Sequence, residues 1–300
     1  MELKQVLYFV RVAEQRSFSR AAELLDVSQP SLSRQVQALE RTLGHHLLLR
    51  NGRGVEPTEA GTRFLAHARA LLELAERARE DLVGLNDQPT GKVVLGLPPR
   101  IALAVTPAVV RLFRERFPQA SIAVAEGLSA QMREALLTGR VELALLYDPP
   151  PSPQLVYESL YREDLVLVAA PALDPELSAR VAVADLGGFP LIVPSLPNAI
   201  RTLVERVCRK HGVRLNVTTE VDAVHTILEL AMQGQGYAIL PRSAVTEFER
   251  EGRLSSAHVV SPSIRNDLVL ATHRSRAGTR LAEGTADLLR DLDLGRLLAF

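Results

Sequence analysis

The chain has 300 residues, enough for two domains or more, and its 47% hydrophobic and 23% charged content is that of an ordinary soluble protein. Its 35 basic and 35 acidic residues cancel, so nucleic-acid binding cannot be argued from total charge and has to come from a local patch. One cysteine, Cys208, excludes an intrachain disulfide and suits a reducing compartment.

The N-terminus, "MELKQVLYFVRVAEQRSF", carries charges every few residues and has no apolar core of a signal peptide. No run reaches the roughly 20 apolar residues of a membrane-spanning helix. A cytoplasmic protein with no membrane partner is expected. A first helix is predicted from Leu3 to about Glu14, with Leu3, Leu7, Phe9 and Val10 near one side. "SFSRAAELLDV" predicts a short second helix with Ser17 or Ser19 as N-cap. Ser28 is the expected cap of a third helix. Pro30 is acceptable in its first turn, where N–H groups have no intrahelical partner.

In "SQPSLSRQVQALERTL" Leu32, Val36, Leu39 and Leu43 recur at helical spacing, and Gly44 is the expected stop. Two helices, a turn and a capped third helix make a helix-turn-helix pattern. Asn51-Gly52, between "LLL" and Val55, signals a hairpin, which would be a wing. From Thr58 one long helix is predicted. Phe64, Ala68, Leu71, Ala75, Ala78, Leu82 and Leu85 alternate spacings of four and three, a heptad seam. The seam could pack on its own domain, but the helix outruns a domain of under 60 residues. Dimerisation through the seam is the preferred reading.

"NDQPTG" at 86–91 has linker composition. Beyond it, strand and helix patterns alternate: "KVVLGL", "SIAVAEG", "VELALLY", "YREDLVLVAAP", "FPLIVPS", "VTTEVD", "GYAILP" and "DLVLATHR" read as strands. That alternation predicts a mostly parallel sheet covered on both faces. Roughly 210 residues of it suggest two α/β lobes. Expected boundaries are 1–58 for the winged domain, 59–87 for the linker helix, 88–91 for a hinge and 92–300 for the α/β domain. Its first lobe would cover about 92–162 and 268–300, and its second about 163–267. Ligands bind beyond the carboxyl ends of such strands.

With the leucines inward, Pro30, Ser33, Arg34, Gln37 and Arg41 face outward. Arginine pairs with guanine, glutamine with adenine, and serine with either. Taken alone, the face reads as solvated surface, because polar helix faces are common. Its neighbours argue otherwise: over 28–53, Arg34, Arg41, Arg50 and Arg53 stand against only Glu40, a local net of +3. Rival signals are weak. His45-His46 lacks further ligands at metal spacing, no nucleotide-binding glycine motif follows the strand at 92–97, and no G-x-S-x-G elbow occurs. No enzyme activity, metal or cofactor is expected.

"FVRVAEQRSFSRAAELL", "SQPSLSRQVQALE" and "R..RGV.PTEAG", in that order and spacing, resemble the N-terminal signature of the LysR-type transcriptional regulators. "GLPP", "EGLS" and "ILELAMQGQGYAILP" resemble the branch near the nitrogen assimilation control regulators. The resemblance implies a winged helix-turn-helix, a dimerising linker helix and a two-lobed, periplasmic-binding-protein-like effector domain. Carried over by motif, the DNA contacts are Ser28, Gln29, Pro30, Ser31, Ser33, Arg34, Gln37, Arg50 and Arg53. Leu48 and Pro57 depart from the family's usual phenylalanine and leucine, both at the wing.

In relatives the inducer sits in the cleft, at strand-end turns. Here these carry Arg100, Ser129, Gln131, Tyr147, Asp148, Ser195, Asn198, His225 and Thr226. Arg100 stands where relatives often have serine or threonine: pointing inward it favours an anionic effector, pointing outward it is surface. The partners implied are a double-stranded DNA operator, a small anionic metabolite, further copies in a dimer or tetramer, and RNA polymerase. Two alternatives stay open. One is a LysR-type regulator that needs no effector. The other is an α/β ligand-binding protein or enzyme whose N-terminal helices serve only assembly.

Overall fold

In the computed structural model the described residues are 1–51, 54–83, 89–275 and 278–299, with side chains described except at 50, 51, 73 and 76–83. The chain divides into two units, Met1–Pro89 and Thr90–Phe300.

Unit 1 opens with α1 (Leu3–Gln15), α2 (Phe18–Leu24) and α3 (Gln29–Leu43). A two-stranded wing follows, β1 (Leu48–Asn51) and β2 (Gly54–Pro57), and then the long α4 (Glu59–Val83). Ser17 caps α2, its hydroxyl accepting the Arg20 N–H. Ser28 occupies the N-cap position of α3 but makes no side-chain cap bond. Gly44 ends α3 in the left-handed conformation, φ 70°. In α1 the buried side is Val6, Tyr8, Phe9, Val10, Val12 and Ala13, while Leu3 is exposed. Asn51 pairs with Gly54, so it belongs to the strand, and the expected turn residue Gly52 lies outside the described residues.

The start of α4 is fixed against the wing. Thr58 donates its N–H to the Leu47 carbonyl (2.9 Å), and its hydroxyl accepts the Gly61 N–H (2.9 Å). A Cβ at Gly61 would lie 1.9 Å from the Leu47 carbonyl oxygen. Backbone, not a flexible side chain, blocks that space. Gly61→Ala is therefore expected to destabilise unit 1 by about 3 kcal/mol or more, read from denaturant unfolding by circular dichroism. An unchanged midpoint would show that α4 does not make this approach.

The first turns of α4 pack on α1 of the same chain. Ala68 is fully buried with Val6, Phe9, Val10, Leu39 and Leu47, and the Phe64 ring lies 5.4 Å from Phe9. That half of the seam is therefore used inside unit 1. Leu71 and Ala75 are half-buried and Leu74 is exposed. The side chains of Ala78 and Leu82, and all of Leu85, lie outside the described residues.

Unit 2 runs β3 (Gly91–Leu97), α5 (Pro99–Arg116), β4 (Ala120–Glu126), α6 (Ser129–Leu137), β5 (Leu143–Tyr147), β6 (Leu155–Ala169), β7 (Arg180–Ala182) and β8 (Pro190–Val193). It continues with α7 (Ala199–Lys210), β9 (Asn216–Glu220), α8 (Val224–Met232), β10 (Tyr237–Pro241), α9 (Thr246–Arg250), β11 (Ser255–Val260), β12 (Arg265–His273), α10 (Arg280–Arg290) and α11 (Leu294–Leu298). The sheet order is β4-β3-β5-β12-β6-β10-β8-β9, with β11 and β7 branching from β6. Within it, β4-β3-β5 and β10-β8-β9 are parallel sets, while β6 and β12 run antiparallel to their neighbours.

Strand β6 joins the two halves. Its residues up to Asp164 pair with β12, and those from Leu165 pair with β10 and β11. Helices cover both faces. Leu97, Val105, Leu145, Leu270 and Leu289 form one core of the first half, and Met132, Leu146 and Val269 the other. In the second half, Leu167, Val193, Val204 and Ile239 pack with α7, and Val168, Ile192, Ile227 and Leu240 pack with α8.

Candidate nucleic-acid interface and effector site

At 100° per residue, Pro30, Arg34, Gln37 and Arg41 fall within an arc of about 60°. All four are exposed. Leu32, Val36 and Leu39, on the opposite side, are 0–1% exposed. The same leucines that bury α3 thus hold its polar residues outward. Ser28 and Gln29 are exposed at its start, and Ser31 and Ser33 are half-buried on the flanks. The Arg50 side chain and all of Arg53 lie outside the described residues.

Glu40 ties this helix to the wing. Its carboxylate Oε1 accepts the Leu47 N–H (2.7 Å) and the Leu48 N–H (3.2 Å), and Oε2 lies 3.6 Å from His46 Nδ1. The sequence reading counted Glu40 only as the lone negative charge of the region. A groove of about 650 Å³ beside α3 is lined by Gln37, Glu40, Arg41, His45, His46 and Leu48, among others. Among the described residues no three His, Cys, Asp or Glu side chains gather as a metal site.

In unit 2, Arg100 takes the inward of the two courses considered from the sequence, but without a free charge to offer an anion. It points inward, and its charge is already matched. Its guanidinium Nη1 lies 3.6 Å from Glu163 Oε1, with the two side chains 14% and 4% exposed. Nη2 donates to Ser243 Oγ (2.5 Å) and the Leu298 carbonyl (3.0 Å), and Nη1 donates to the Tyr147 hydroxyl (3.4 Å). Glu163 Oε2 accepts from both the Ser243 hydroxyl and the Ser243 N–H. Burial raises the Tyr147 phenol well above its ordinary range. The network therefore binds the start of α5, the end of β5, the crossover strand β6 and the end of α11. The sequence reading missed Glu163 and Ser243.

The other strand-end residues divide by role. Ser129 Oγ accepts the Tyr147 N–H (3.0 Å), and Gln131 Oε1 accepts the Leu128 N–H (3.0 Å). Asn198 caps α7 through the Ile200 N–H (2.9 Å), and the Ser195 N–H donates to Asp222 (3.3 Å). His225 is exposed and Thr226 half-buried at the start of α8. Four of these side chains or their backbones thus hold local structure.

Asp148 is different. Its backbone is left-handed, φ 42°, and its Oδ2 is buried with no hydrogen-bond partner. Burial pushes its carboxyl from 3.8 up to about 6, against the lowering effects of an Asp267 backbone hydrogen bond and of Arg206. The folded state holds this proton more tightly than the unfolded chain. Its contribution is therefore intact below 3.8 and lost as pH rises to about 6. Asp148→Asn keeps a residue type that tolerates positive φ. It is expected to raise the melting temperature near neutral pH and to leave it unchanged well below the window. An equal shift at both pH values would contradict this cause.

Comparison with known proteins follows the same division. Residues 3–62 match the model described as "Bacterial regulatory helix-turn-helix protein, lysR family", and residues 86–293 match "LysR substrate binding domain". The chain is 34% identical to the HTH-type transcriptional regulator BbuR of Bordetella bronchiseptica, over 91% of this chain and 83% of that protein. It is 29% identical to the nitrogen assimilation regulatory protein Nac of Klebsiella aerogenes, over 97% and 95% of the two chains. Full-length CbnR, solved in complex with its target DNA, superposes with TM-score 0.62 at 26% identity, covering 97% of this chain and 99% of that one. A full-length OxyR variant from Pseudomonas aeruginosa shares the fold, TM-score 0.81 at 24% identity over 99% and 97%. The chain belongs to the LysR family of transcriptional regulators.

Proposed function

We propose that this regulator reads its operator with the Pro30–Arg41 side of α3 in the major groove. The observation that carries the reading is the exposed arc of Pro30, Arg34, Gln37 and Arg41 directly opposite the buried Leu32, Val36 and Leu39. Arginine and glutamine are the side chains that pair bidentately with guanine and adenine. Glu40 fixes the wing relative to that helix, and phosphate contacts by Arg50 and Arg53, carried over by motif, would set the register. Two copies pair through the later turns of α4, around Leu71, Leu74 and Ala75, because Phe64 and Ala68 in its first turns are spent on α1.

A small molecule at the strand ends of unit 2 favours one arrangement of the assembly, which changes the spacing of the two reading helices. The chain acts as a regulator and not an enzyme, in the cytoplasm, where RNA polymerase is a further partner. Among the described residues no helix is long and apolar enough to cross a membrane. The test is selection of a random duplex pool by the full-length chain. One enriched motif with two-fold related half-sites is expected, and a pool that stays flat overturns the reading.

A further inference from the structure

Among the described residues, four side chains of unit 2 have buried polar atoms with no hydrogen-bond partner. Thr106 Oγ1 stands apart. The others are Glu163 Oε1, whose Arg100 ion-pair partner lies beyond hydrogen-bond distance at 3.6 Å, both amide atoms of Asn266, and Asp148 Oδ2. Asn266 is 1% exposed. It stands directly opposite Glu163 in the β12–β6 register, and opposed residues of paired strands project to the same face. Asp148 joins from the neighbouring strand end. Its N–H donates to the Asp267 carbonyl (3.0 Å), one residue from Asn266. An orphaned buried polar group loses its hydration without a replacement, so each needs an explanation.

The orphans share a chemistry. Three of the four atoms, Glu163 Oε1, Asn266 Oδ1 and Asp148 Oδ2, are acceptors, and only Asn266 Nδ2 donates. Of the cations near these groups, Arg100 is already paired with Glu163 and Arg206 already acts on Asp148. A carboxylate arriving here would compete with Glu163 for Arg100 and face Asp148 as a like charge.

We propose that the corner formed by Arg100, Glu163, Asn266 and Asp148 takes a small molecule that carries an amino or amide group. The inference rests on the effector reading given above and names the chemistry of that effector. An N–H-bearing head donates to the carboxylate oxygens and the Asn266 carbonyl. The Asn266 amide N–H is left for an acceptor on the same molecule.

The test is thermal unfolding of the full-length protein with matched additions of acetamide, putrescine and methylguanidinium, against acetate, succinate and benzoate. At least one of the first three is expected to raise the melting temperature by roughly 2 °C or more, and none of the last three. Asn266→Leu is expected to abolish that shift while raising the melting temperature of the unliganded protein, since it removes an unpartnered amide. A larger shift with the carboxylates overturns the proposal, as does a shift that survives Asn266→Leu. A flat response to all six also overturns it and assigns the corner to bound water. Operator binding by the unaltered protein is measured alongside. Loss of that signal strikes the DNA reading, whereas an intact signal with a failed screen strikes only the ligand chemistry.

Discussion

Arg34→Ala is expected to lower operator affinity by roughly 5- to 150-fold, the about 1–3 kcal/mol of one bidentate base contact, while non-specific duplex affinity falls only by the share of one lost cation. Gln37→Ala should do the same at a different base pair, with no change in the salt dependence, because it carries no charge. Both side chains are exposed on α3, on the side opposite the buried seam. Neither substitution removes a core contact, so a loss of fold cannot mimic the effect. Competition binding against single-base operator variants checks it. Each alanine variant should lose its discrimination at one position. Equal weakening for every sequence would mean that α3 contacts phosphates only.

The second large effect lies in unit 2. Glu163→Ala is expected to destabilise that unit by about 3–5 kcal/mol, because it leaves the Arg100 cation buried without its partner. The Ser243 N–H and hydroxyl lose their acceptor as well. The double variant Arg100→Met, Glu163→Leu should recover most of the loss, since a packed apolar pair of similar volume often matches a buried ion pair. The chain has no tryptophan, so circular dichroism is the suitable probe of denaturant unfolding. A loss below about 1 kcal/mol would place the pair in water, where such bridges are worth little.

These two expectations differ in how far the sequence announced them. Helix α3 was legible because one local pattern carries it: apolar residues at a period near 3.6 leave Arg34, Gln37 and Arg41 on the far side whatever the tertiary context. Gly44 and Ser17 were legible for the same reason, as backbone needs met within a few residues. The seam of α4 was legible as a stripe but not as an interface. Periodicity says that Phe64 and Ala68 are covered, and only the fold says that Phe9 and Val10 of α1 cover them.

Strand β6 was read from 161, yet it begins at Leu155. Its first half pairs on one side only, with β12. Exposed polar residues such as Glu158 and Ser159 therefore break the apolar run that marks a buried strand. The candidate site in unit 2 was legible as a set of strand-end turns, because alternating strands and helices put such turns at one edge. Its electrostatics were not. Arg100 meets Ser243 and Leu298 from 143 and 198 residues away, and Glu163 sits mid-strand between Arg162 and Asp164, where nothing local marks it as the buried charge of the three.

Methylation interference tests directly whether α3 enters the major groove. Methylation of guanine N7 blocks a major-groove acceptor without touching the phosphates. With an operator fragment and the full-length protein, methylation should abolish binding at a few guanines. These should form two symmetric clusters about one helical turn, or a whole multiple of it, apart. At least one position should lose its interference in Arg34→Ala. Interference confined to phosphate modification, with none at guanine N7, would contradict base reading by this helix.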